Sequence, residues 1–199
     1  MRIIPLGALV ATFAMTGPSL AQATDPAQAP IHSLDDGLLG IMKNKAAGVK
    51  GRAATIAPVI DRVYDIPLMT RLSVGSAWPT IAPGDQSSLV TAFRRMTIAQ
   101  YASNFDAFSG ESFSIDPKIE TRGADKLIRT TLNVPKGAPV AIAYRLRQSG
   151  GSWKVIDVFY RNSISQLATK RADFAGVLSS GGAKALIAHL NALSAKAGG

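Results

Sequence analysis

The period of the apolar residues changes twice along this chain, and that change restricts the fold more than any single motif does. From Ile31 to Phe108 apolar side chains recur every three or four residues, as on one face of a helix. From Phe113 to Tyr160 they alternate, or run in short β-branched blocks, as in strands. From Ile164 to Leu193 the helical spacing returns. Helices, then strands, then helices is the order of an α+β domain. A parallel sheet would interleave them.

The strand block reads as four consecutive strands. Phe113 and Ile115 alternate with serines, and Lys126–Val134 is β-branched. Val140, Ile142, Tyr144 and Leu146 point one way while Ala141, Ala143, Arg145 and Arg147 point the other. Trp153–Tyr160 is apolar on both faces, the pattern of a central strand. The connections Pro135–Pro139 and Gln148–Gly151 are short and rich in turn residues, so the strands form an antiparallel meander.

The helical blocks carry their own punctuation. Leu34, Leu38, Ile41 and Met42 form a first stripe, with Ser33 as its expected N-cap. Ile56, Val59, Ile60 and Val63 form a second, and Pro58 predicts a kink or a start inside it. Asp65 is placed to cap a short helix with Pro67 in its first turn, and Gly75 is placed to end it. Trp78-Pro79 predicts an extended corner, because a residue before proline avoids the α region. Pro83-Gly84-Asp85 predicts the start of a long helix capped by Asp85, with Leu89, Val90, Phe93, Thr97, Tyr101, Phe105 and Phe108 along its stripe. After the strands, Leu167, Phe174 and Leu178 share a stripe interrupted by Arg171; Gly181-Gly182 breaks it before Leu186, Ile187 and Leu190.

The N-terminus predicts an address. Arg2 is followed by the apolar run Ile3–Met15, the breaker Gly17-Pro18 and small residues at a cleavage position. Residues 1–23 therefore read as a signal peptide cleaved after Ala21 or Ala23, residues 24–30 as a mobile lead-in and residues 31–199 as a single domain. Among 199 residues there is no cysteine, so no lipid anchor and no disulfide is expected. The net charge is +9, which elsewhere suggests nucleic acid. Export and the scatter of the basic residues argue against it. Acidic lipid head groups or an acidic partner suit the charge better.

Catalytic patterns are sparse. His32 and His189 are the only histidines, and neither has the neighbours of a metal site or a triad; no metal and no cofactor is expected. Asp61 and Asp65 are four apart, a spacing that solvation and capping explain. Arg171 in an apolar stripe needs a partner: an ion pair with Asp157 or Asp61, or a lipid phosphate. Arg94-Arg95 reads as a solvated face. Trp78, Phe93, Tyr101, Phe105, Tyr144, Phe159 and Phe174 either fill a core or line a cavity between sheet and helices.

The order and spacing of several short motifs resemble one family. They are Tyr64-Asp65-Ile66 leading to Met69-Thr70-Arg71-Leu72 and Gly75, then Trp78, Phe93-Arg94-Arg95 and Gln100-Tyr101-Ala102. Trp153–Val158, Arg171-Ala172-Asp173-Phe174 and Gly181-Gly182 with Leu186-Ile187 and Leu190 complete the set. Together, over roughly residues 31 to 196, they resemble the periplasmic lipid-shuttle proteins of the MlaC type, the toluene-tolerance family. The Asp-Ile-Pro-Leu-Met form at 65–69 and the Ala/Pro-rich lead-in are similar to the hopanoid-associated, HpnM-like branch. Many relatives carry Gly-Val-Ser after the last long strand; Arg161-Asn162-Ser163-Ile164 departs from it here.

The resemblance implies an α+β fold in which a curved four-stranded meander packs against N- and C-terminal helices, with an apolar cavity between, an NTF2-like or cystatin-like cone. It implies a non-enzymatic periplasmic carrier of phospholipid or hopanoid between inner and outer membranes. Its partners would be an inner-membrane ABC-type lipid transporter and an outer-membrane component. The residues expected to line the cavity are Leu72, Trp78, Phe93, Tyr101, Tyr144, Val158 and Phe174, with Arg171 at the head group or in an ion pair. Two tails with about thirty methylenes cost on the order of 24 kcal/mol to expose to water, at ~0.8 kcal/mol each, so such a carrier must enclose them. Two other readings remain open: a small cone-fold isomerase or hydratase using Asp157 and Tyr144, and an envelope interaction module that binds no ligand.

Overall fold

A computed structural model describes residues 25–198. The expected signal peptide lies outside them. Four helices precede the sheet: α1 (Gln28–Lys43), α2 (Gly48–Val63), α3 (Ile66–Val74) and α4 (Pro83–Asn104). Six strands follow: β1 (Ser112–Ile115), β2 (Glu120–Arg122), β3 (Asp125–Asn133), β4 (Val140–Ser149), β5 (Ser152–Tyr160) and β6 (Ile164–Ser165). The chain ends in α5 (Gln166–Lys196), which breaks at Gly182, a glycine at φ 66° that leaves the helical region.

Local signals set most of the helix ends. The Asp65 carboxylate accepts from the Leu68 N–H at 3.0 Å, and Gly75 ends α3 at φ 71°. Two helix starts and the lead-in differ from expectation. α1 begins a turn early, so Ser33 sits inside it. Residues 25–30, expected to be a mobile lead-in, are tied down. Ala27 is fully buried and Asp25 binds Lys126 Nζ, which also lies 4.7 Å from the centre of the Trp153 ring. α4 starts at Pro83 and leaves Asp85 uncapping in its first turn; Gln86 instead reaches back to the carbonyls of Trp78 (2.9 Å) and Ile81 (3.0 Å). Those bonds hold Trp78-Pro79 in a 3₁₀ turn, Gly75–Thr80, where an extended corner was expected.

The sheet is antiparallel in the order β1-β3-β4-β5-β6. β1 and β2 both pair with β3, against residues 130–133 and 125–127, and so form one interrupted edge in place of the single first strand expected. The two residues of β6 are the other addition. The apolar run in β5 contains a bulge that its sequence does not announce. Arg145 pairs with Asp157 but Leu146 pairs with Val155, leaving Ile156 as a bulge. The bulge reverses the alternation, so Val155 faces the same side as Val158 and Tyr160. Val155, Ile156 and Asp157 are buried in succession, and Phe159 lies half-buried on the face opposite Val158, so β5 is covered on both sides.

Helices cover the inner face of the sheet. α4 packs against α2, α3 and α5, and α1 packs on α2. One core joins Ile31, Leu34 and Leu38 of α1, Ile56 and Ile60 of α2, Phe93 and Met96 of α4, Ile128, Tyr144 and Leu146 of the sheet and Phe174 of α5. Being enclosed on several sides makes α4 apolar beyond one stripe: Leu89, Ala92, Met96, Ile98 and Ala99 are all buried. The α2–α3 junction joins the sheet directly, through a parallel bridge from Tyr64 to Val155 and a bond from the Asp65 N–H to the Val155 carbonyl at 2.9 Å. No helix among the described residues is long and apolar enough to cross a membrane.

Candidate functional site

The core is not solid everywhere. Between the sheet and helices α3, α4 and α5 lies a cavity of about 670 Å³. Its sheet wall comes from alternate residues: Leu132 and Val134 of β3 and its end, Val140, Ile142 and Tyr144 of β4, and Val158 and Tyr160 of β5. Val140 to Tyr144 is four residues of strand, so this wall is ~13 Å deep. Its helical wall is Met69 and Ser73 of α3, Phe93, Thr97, Gln100, Tyr101 and Phe105 along α4, and Gln166, Leu167 and Lys170 in the first turns of α5. Asn104, Asp106, Ala107 and Tyr160 are wall residues exposed to solvent, and they mark the mouth.

Three phenols close the floor. Tyr64 and Tyr144 are almost fully buried, Tyr101 partly; the Tyr64 and Tyr101 hydroxyls bond each other, and their ring centres are 5.9 Å apart. Tyr101 also stacks on Phe105 at 5.8 Å. Burial pushes the Tyr64 and Tyr144 phenols well above their ordinary value and Tyr101 up to about 12, so all three stay neutral. Asp35 of α1 lies within electrostatic reach of these phenols and is itself buried, with one carboxylate oxygen lacking a hydrogen-bond partner. Burial, and then the charge of Asp36, pushes its carboxyl up to about 7. The floor is therefore polar, with neutral phenols and a carboxyl that keeps its proton well past the ordinary carboxylate range.

The mouth differs. Among the described residues Lys170 is the one cation on the cavity wall, and burial holds its ammonium below the ordinary lysine range against the opposing pull of Asp173 and Asp157. Asp106 and Glu111 bring carboxylates from the segment after α4. Glu111 is engaged by the Ser109 N–H at 2.5 Å.

Of the residues expected on the cavity wall, Phe93, Tyr101, Tyr144 and Val158 are there. Leu72, Trp78 and Phe174 are not. Phe174 sits behind Phe93, edge to face at 6.4 Å, and Trp78 packs half-buried on the core. Leu72 contributes a backbone carbonyl elsewhere. It accepts from Arg171 Nε at 2.9 Å and Nη2 at 2.7 Å, so Arg171 caps the end of α3. Neither acid expected to pair with Arg171 does so. Asp61 holds Arg94 through two bonds, at 2.6 and 2.7 Å. Asp157 accepts from Ser165 Oγ at 2.6 Å and the Leu167 N–H at 3.0 Å, and so anchors the start of α5 outside the cavity. Arg94 is therefore paired rather than merely solvated. The sequence reading missed Lys170, Ser73 and the Asp35–phenol floor. Lys170 stands beside the more conspicuous Arg171, and Asp35 lies far from the phenols in the chain.

An open antiparallel sheet backed by helices, with an apolar cavity closed by buried phenols, defines a cavity-bearing α+β protein. Residues 32–192 match the sequence profile of the MlaC protein family, and the chain belongs to that family. The fold is that of the phospholipid-binding protein from Ralstonia solanacearum, solved in complex with a phospholipid. The two are 24% identical with a TM-score of 0.77, over 88% of this chain and 100% of that one. No curated protein matches in sequence.

Proposed function

We propose that this protein is a periplasmic carrier that holds a phospholipid by its tails and moves it between membranes. The observation that carries the reading is the 670 Å³ cavity, walled by Phe93, Phe105, Leu132, Val140, Ile142 and Val158. Family membership and the phospholipid complex of the Ralstonia protein support it. Taking a methylene as roughly the ~30 Å³ of a liquid water molecule, the cavity takes on the order of twenty of them. That is most of two acyl tails; the remainder lies along the rim at Val134 and Tyr160.

Enclosure supplies the binding free energy, because tails released from the wall meet water at a cost no surface contact offsets. It supplies no direction. A cavity only equilibrates lipid, so net transport needs an inner-membrane transporter and an outer-membrane partner of different affinity. The apolar N-terminal segment supports the periplasmic address. The hopanoid reading stays a variant of the same mechanism, with a rigid polycycle in place of tails.

Native mass spectrometry of mature protein purified from its host tests the reading. Lipid-sized adducts, identified after extraction as phospholipids, are expected. A clean protein mass both before and after incubation with phospholipid vesicles would remove the carrier reading. Extraction of a hopanoid alone would replace the cargo.

A further inference from the structure

We infer that Lys170 is the anchor for the phosphate of the bound lipid, so that the cavity selects a phosphodiester head group as well as tails. This rests on the carrier reading above. The inference starts from position. Lys170 lies on the cavity wall one helical turn after Gln166, in the helix that follows β6, whose Ile164 pairs with the exposed Tyr160. Tails fill the space toward Tyr144, so a head group comes to lie at the level of Lys170.

Lys170 is also uncompensated. It makes no salt bridge and no side-chain hydrogen bond among the described residues, whereas its neighbour Arg171 is fully used on the Leu72 carbonyl. The nearest acids do not take it up: Asp157 is bonded to Ser165 and the start of α5, and Asp173 acts on it only at a distance. A cation drawn partly out of water without a partner is a cost to the fold unless a ligand brings an anion. Burial holds its ammonium below the ordinary lysine range, the mark of that cost, and a phosphate beside it offsets it.

The remaining rim charges say which phosphate. Asp106 and Glu111 also line the cavity, so its lining carries two carboxylates against one ammonium. That balance repels a free inorganic phosphate with two negative charges. A phosphodiester carries a single charge and is brought to Lys170 by its tails. The chemistry that fits is therefore a lipid with one phosphate next to the glycerol, held by a single charge-assisted hydrogen bond from Nζ.

The test is competitive loading of delipidated mature protein from mixed vesicles of phosphatidylglycerol and diacylglycerol with the same tails, read by extraction and mass spectrometry. Wild-type protein is expected to enrich the phosphatidylglycerol at least tenfold over the diacylglycerol. Lys170→Gln is expected to lose that enrichment while still loading both lipids, and Lys170→Arg to keep most of it. Lys170→Gln removes a desolvated charge, and an unchanged circular dichroism spectrum confirms that it folds. If wild type loads both lipids and Lys170→Gln keeps the same enrichment, the assignment of Lys170 is overturned and the carrier reading stands. If wild type loads neither lipid, the carrier reading falls and takes this inference with it. A calorimetric titration with inorganic phosphate separates the two sources of the anion. Lys170-dependent binding of the free ion, with no preference between the lipids, would overturn the head-group assignment.

Discussion

Asp35 offers the sharpest test of how the cavity floor is built. It is 6% exposed and has a buried carboxylate oxygen without a partner; its carboxyl is pushed up to about 7 by burial. In the unfolded chain the same group releases its proton near 3.9. The folded state therefore holds the extra proton between those values, and stability falls as pH rises through that window. A rise from 3.8 to about 7 corresponds to about 4 kcal/mol at 1.36 kcal/mol per pH unit, fully felt above about pH 7 and absent below about pH 4. Asp35→Asn keeps the shape and cannot ionise. In urea unfolding of delipidated protein, the stability of Asp35→Asn relative to wild type is expected to grow by about 2–3 kcal/mol between pH 5 and pH 8. Delipidation matters because bound ligand adds stability of its own. Every other titrating group is common to both proteins and cancels. Parallel pH profiles for the two would refute the claim that burial raises the Asp35 carboxyl in the folded protein.

Val158→Trp places a large ring on the cavity wall and is expected to cut co-purified lipid by at least half, measured by phosphorus assay, with the fold retained; an unchanged load would mean lipid binds elsewhere. Arg171→Ala removes the two bonds to the Leu72 carbonyl at the solvent surface and is expected to cost about 1 kcal/mol in urea with lipid loading unchanged. Lost loading in that variant would return Arg171 to the site. Asp125 is 2% exposed at its side chain and is gripped by Arg147 and Arg145, whose bonds hold its carboxyl below the usual carboxylate range. Its contribution is present above about pH 4 and disappears as pH falls below. Asp125→Asn should therefore cost about 1–2 kcal/mol at pH 7, the arginines being 45% and 40% exposed, and progressively less toward pH 3.

How far the fold could be read in advance depended on how local each signal was. Asp65, Gly75 and Gly182 mark their helix boundaries because a cap or a left-handed glycine acts on the next few residues. The strands were legible from alternation. The start of α4 was not, because Gln86 reaches back to Trp78 and Ile81, a contact no propensity contains. The apolar run in β5 predicts burial on both faces, which Val155, Ile156 and Asp157 show, but nothing in it announces the bulge at Ile156. In the site, aromatic residues of like character divide: Phe93 lines the cavity and Phe174 supports it from behind.

The sequence alone determined the order of helices and strands, the antiparallel connectivity, the helix stops and the family signature. Each of these is carried by neighbouring residues or by their spacing. Only the tertiary structure decided which side chains face the cavity. Lys170 and Arg171 make the point. They are adjacent in sequence and equally basic, but one residue turns a helix by about 100°. That rotation sends Arg171 to the end of α3 and leaves Lys170 on the cavity wall. The angle at which α5 docks on α3 and α4 makes that choice, and it depends on the packing of the whole core around Phe93 and Phe174.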